Sequence, residues 1–97
     1  MEKYSLLARL EAKPKKVEAV KAFIKSALPL AIAEEHTIRW YGWQIGETTF
    51  GIFDTFETEA GRTAHLEGQI AAALMEHAGE LLAAPPIIEF VELLAVK

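Results

Sequence analysis

The stretch IRWYGWQIGETTFGIFDTF, residues 38–56, constrains the fold more than any other part of the chain. It carries two Trp, one Tyr and three Phe in two β-rich runs that meet at Ile45–Thr48. Gly46 suits the first central position of a two-residue II′ turn, so the runs are predicted to pair as a hairpin. Side chains alternate between the two faces of a strand. Ile38 and Trp40 then fall on one side of the first run, with Tyr41, Trp43 and Ile45 on the other. In the second run Phe50, Ile52 and Phe56 oppose Phe53. Gly42 and Gly51 lie inside the strands, where glycine marks a bulge or a close approach of another group. A hairpin that is apolar on both sides needs something packed against each side.

The rest of the chain supplies one cover. Tyr4, Leu6, Ala8 and Leu10 alternate with Ser5, Leu7, Arg9 and Glu11, which predicts a strand over Tyr4–Ala12. Pro14 fits the first turn of a helix, and from Val17 the period becomes helical, with Val20, Phe23, Ile24, Ala27, Leu28 and Ala31 on one face. Pro29 is expected to kink or end that helix. Thr58 is placed to cap a second helix running to Leu82, with a break expected near Gly68. Ile87–Val96 reads as a final strand. The order β-α-β-β-α-β predicts an α+β, ferredoxin-like fold: a four-stranded antiparallel sheet, both helices on one face, first and third strands central. The other face should then be polar in a monomer. It is not, and pairing two such faces predicts a homodimer.

Composition fits that expectation. A chain of 97 residues is one domain, 1–97, and its hydrophobic content of 52% exceeds what so small a core needs. The surplus points to a subunit interface or an apolar pocket. A net charge of −4, with the ten Lys and Arg dispersed, gives no footprint for nucleic acid or an anionic membrane surface. Cysteine is absent, which removes disulfides, thiolate metal sites and cysteine nucleophiles. The longest strongly apolar stretch, SALPLAIA, is far short of a membrane span, so a soluble cytoplasmic protein is expected. No Ser/His/Asp spacing, phosphate-cradling loop or dinucleotide fingerprint is present.

LLARLEAKPKKVEAVKAFI, then GIFDTF followed by TEAGRTAHL, resembles the antibiotic biosynthesis monooxygenase-like domain, a group that includes quinol monooxygenases. The elements carrying the resemblance are Lys13-Pro14, Phe56 and the run Ala60 to His65-Leu66, and it covers nearly the whole chain. Many relatives have Trp where Phe56 stands, and the haem-degrading branch uses an Asn in the first strand that Tyr4–Ala12 lacks. The resemblance implies a dimeric α/β barrel with a pocket between sheet and helices. It also implies cofactor-independent monooxygenation of a small phenol or hydroquinone, whose anion passes an electron to O2.

For that chemistry His65 is the candidate base, with Asp54 orienting it from the neighbouring strand. The alternative roles are structural: His65 bonding a strand carbonyl or carboxylate, and Asp54 capping the next turn. Trp40, Tyr41, Trp43 and Phe53 are candidates to stack on a planar substrate, and equally candidates for core or interface. Arg39 either binds an anion or pairs with Glu89 or Glu92 across a dimer. His36 is expected to be exposed. His77 ends an apolar stripe and is the residue through which haem would bind. No metal is expected, because the histidines lack ligand spacing and no carboxylate is foreseen to complete a triad with them. No cofactor is expected either. The competing reading is a non-catalytic, dimeric small-molecule-binding or stress-related module.

Overall fold

The structure is a computed structural model describing residues 1–97. Four strands, β1 (Tyr4–Glu11), β2 (Thr37–Ile45), β3 (Thr49–Phe56) and β4 (Ile87–Glu92), form one antiparallel sheet in the order β2-β3-β1-β4. The helices are α1 (Val17–Ala33), α2 (Glu59–Leu66) and α3 (Gln69–Leu81), and a single 3-10 turn at Pro14–Lys16 leads into α1. No helix is long and apolar enough to cross a membrane.

The register assigns the two faces. Leu10 opposes Phe50, Ala8 opposes Ile52 and Leu6 opposes Asp54, so these residues share the helix-facing side. Leu10, Phe50, Val20, Ile24, Leu74 and Leu82 form the larger core cluster there, and Ala27, Ala31 and Ile70 form a smaller one. Trp40 packs against both clusters. On the other side Tyr41, Phe53, Leu7 and Glu89 lie in one row, with Trp43, Gly51, Arg9 and Ile87 in the next. No helix covers that side. Tyr41, Ile45 and Ile87 are about half exposed, while the segment after β4 returns beside Arg39, Tyr41, Phe53 and Thr55.

Four local expectations need correction. Pro29 does not end α1: it sits on the exposed side of a continuous helix, where the freed Lys25 carbonyl can meet water. Buried Ala27 and Ala31 hold the turns on either side. The hairpin loop has three residues, because Ile45 pairs with Thr49. Thr48 is pulled out of the ladder by bonds to β1: its carbonyl accepts from the Ala12 N–H and its hydroxyl donates to Glu11. Gly46 does hold φ +67°. Ile38 falls at a register shift between Thr37 and Arg39, so it does not share the face of Trp40 by simple alternation. The last strand stops at Glu92, and the Leu93 N–H turns to the Lys3 carbonyl.

The break between α2 and α3 falls at Glu67–Gly68, as expected from Gly68. The Thr58 hydroxyl accepts from the Gly61 N–H at 3.0 Å, capping α2 and fixing the direction in which His65 leaves its last turn.

Candidate functional site

His65 projects from the end of α2 onto the helix-facing side of the sheet, where it is 7% exposed and tilts against Phe56 at 5.4 Å between ring centroids. Its Nε2 lies 3.0 Å from Asp54 Oδ2, and its Nδ1 lies 2.6 Å from Glu34 Oε1. Asp54 is buried in the middle of β3. Glu34 follows the last residue of α1, and its Oε1 also accepts from the Thr37 hydroxyl at 2.6 Å. Three separate segments thus bring two carboxylates to opposite nitrogens of one imidazole.

Burial alone would lower the pKa of His65. The hydrogen bonds and charges of Asp54 and then Glu34 outweigh it and raise the value to about 9. His65 is therefore an imidazolium near neutral pH, donating from both nitrogens. Burial pushes the Asp54 carboxyl upward, while the hydrogen bond and charge of His65 act in the opposite direction. Burial prevails and the Asp54 pKa is raised, while the ion pair with His65 favours the ionised form, because removing the charge would orphan a buried imidazolium donor. Asp54 Oδ1 is buried and has no hydrogen-bond partner.

Asp54 and His65 line a cavity of about 40 Å3 whose other walls, from β1, β3, β4, α2 and α3, are apolar. Leu6, Ile52, Ile70 and Leu74 form its floor and helix side, with partly exposed Ile88 on the edge strand β4. The volume holds a few water-sized groups and is smaller than an aromatic ring. A ring enters only if a wall side chain such as Ile88 rotates outward. An unpaired carboxylate oxygen beside such walls can accept one hydrogen bond from a neutral donor, and its environment strengthens that bond.

The other candidates lie elsewhere. Tyr41, Trp43 and Phe53 are on the uncovered face, where Trp43 lies over Gly51 and Arg9 stacks on its ring at 5.8 Å. Trp40 faces the helices opposite Asp54, with its Nε1 buried and unpaired, but the ring is not part of the cavity wall. Arg39 Nε lies 3.2 Å from Glu2 Oε2 of its own chain. His36 is exposed, and His77 is exposed beside Phe23, at 6.4 Å between ring centroids. No cluster of three or more His, Cys, Asp or Glu is arranged to hold a metal ion. Glu34, which was not among the candidate residues, is the second carboxylate on His65. It sits 31 positions before His65, a separation that periodicity cannot bridge. The only signal was its place just after the apolar stripe of α1.

The architecture is that of the antibiotic biosynthesis monooxygenase-like fold. A protein of that description superposes with a TM-score of 0.82 over 95% of this chain and 99% of its own, at 10% identity. Rv0793 from Mycobacterium tuberculosis superposes at 0.87, with 16% identity over 97% of both chains. Within that class the chain belongs to the family of NE2512 from Nitrosomonas europaea, a protein of unknown function. The two share 58% identity over 100% of this chain and 94% of that one, at a TM-score of 0.97. No protein-family model and no curated protein sequence matches the chain.

Proposed function

We propose that this protein is a cofactor-independent monooxygenase for a small phenol or hydroquinone, bound between the sheet and the helices. The observation that supports this reading is the buried Asp54–His65 pair at the wall of an otherwise apolar cavity, with Asp54 Oδ1 unpaired. The proton acceptor in this reading is Asp54. His65 has no free lone pair when both nitrogens serve carboxylates, so its role is to hold Asp54 ionised and aligned. A phenolic O–H donates to Oδ1 and gives up its proton there, leaving an electron-rich anion that passes an electron to O2. The apolar walls keep water from competing for that anion. The fold shared with an antibiotic biosynthesis monooxygenase supports the assignment at the level of architecture.

Two copies associate in this reading through the uncovered sheet face, where Tyr41, Ile45 and Ile87 are exposed. A binding module without turnover is the second reading, favoured by the small size of the cavity. Oxygen uptake with a panel of hydroquinones separates the two. The oxygenase reading expects turnover by the wild type and a loss of about 10²–10⁴ in Asp54→Asn. Equal rates in the two proteins, or retention of a ligand with no oxygen uptake, would end it.

A further inference from the structure

Glu34 is absent from the cavity wall, yet it holds the side of His65 opposite Asp54. It lines a separate outer cleft of about 450 Å3 with Leu30, Ala33, His36, Ala64 and Gly68. Its side chain is 18% exposed, whereas that of Asp54 is 1% exposed. The imidazole therefore spans from a solvent-facing carboxylate to a buried one. The titratable groups facing His65 are Glu34, from the connection after α1, and Asp54, from β3. The cavity-lining residues of β1, α3 and β4 are all apolar.

We propose that Glu34 is a positioning residue of this site: by accepting from Nδ1 it fixes the imidazole so that Nε2 stays committed to Asp54 Oδ2 and the Oδ1 of this cavity-lining residue is left without a protein partner. This rests on the reading of Asp54 as the ligand acceptor, and it adds a limit on the ligand. Two carboxylates against one imidazolium leave the cluster negative. The site admits a neutral hydroxyl donor such as phenol and rejects an aromatic carboxylate of similar size such as benzoate. If Glu34 were absent, His65 could rotate or lose a proton, and Asp54 would lose the donor that holds it ionised.

The test uses the full chain with ¹⁵N-labelled histidine and follows the His65 ring nitrogens by NMR, without substrate. The wild type is expected to titrate near 9. Glu34→Gln should titrate at least one unit lower, a tenfold or greater fall in proton affinity, and should bind phenol at least threefold more weakly. Thr37→Val removes the other hydrogen bond to Glu34 Oε1 while leaving Glu34 in place, and should leave the His65 titration unmoved. An unchanged titration in Glu34→Gln overturns the proposal. So does an equal shift in Thr37→Val, which would reduce Glu34 to an anchor for the α1–β2 connection. Should Glu34→Gln not fold, Glu34→Asp withdraws the carboxylate without removing its charge and must still lower the titration. Benzoate binding as tightly as phenol would refute the charge argument. Absence of oxygen uptake by the wild type would remove the oxygenase reading and leave the resting-state titration to decide Glu34 alone.

Discussion

Asp54 is a buried carboxyl with one oxygen bonded to an imidazole and the other bonded to nothing, and both facts shape how this site responds to pH. His65 carries a raised pKa of about 9, so its contribution to stability is complete below its ordinary value of 6.5 and is lost as pH rises through 9. Asp54, also raised, contributes in the same direction, its share fading as pH climbs past 3.8. Thermal unfolding should show a loss on the order of 2–3 kcal/mol from His65 between pH 6.5 and 9.5, or about 10 °C in Tm. His65→Gln should flatten that fall; a wild type equally stable at both values would contradict the clamped imidazolium. Part of this site was legible beforehand. The Ala60 to His65-Leu66 pattern led to His65, and the adjacent strand led to Asp54. Glu34 was not legible, because its pairing depends on where α1 stops, and Pro29 argued for an earlier stop.

At the scale of elements, the two strand glycines mark where β2 and β3 carry bulky neighbours. A Cβ on Gly51 would collide with the Trp43 ring and with the backbone carbonyl of Ala8, which cannot move without breaking the β1–β3 ladder. Gly51→Ala should therefore cost about 2 kcal/mol or more. Gly79, inside α3, has nothing near the position of an added Cβ. Gly79→Ala should stabilise by about 0.5–1 kcal/mol through helix propensity. Urea denaturation of both variants checks the contrast, and effects of equal sign would refute this packing account. Strand alternation and the switch to a helical period were enough to place the elements and the central strands. They were not enough for the hairpin loop length or the end of β4, which depend on Thr48 and Leu93 finding partners on other segments.

At the scale of the whole molecule, the sheet separates two apolar regions with different uses. The helix side holds the core and the small cavity; the other side exposes Tyr41, Ile45 and Ile87. In the proposed dimer a second copy covers that face, and apolar burial contributes roughly 25 cal/mol per Å2 before association entropy is subtracted. Light scattering at micromolar concentration should give twice the mass of one chain. Tyr41→Lys with Ile87→Lys should shift it toward 10.7 kDa, and a wild type already at that mass would contradict the dimer. The aromatic hairpin residues thus belong to that face and to the core, and the proposed function leaves ligand recognition to one carboxylate oxygen among aliphatic walls. Calorimetric titration of phenol into the wild type and Asp54→Asn tests this most directly. The account predicts saturable binding to the wild type and at least tenfold weaker binding to the variant; equal affinities, or no binding to the wild type at millimolar phenol, would contradict it.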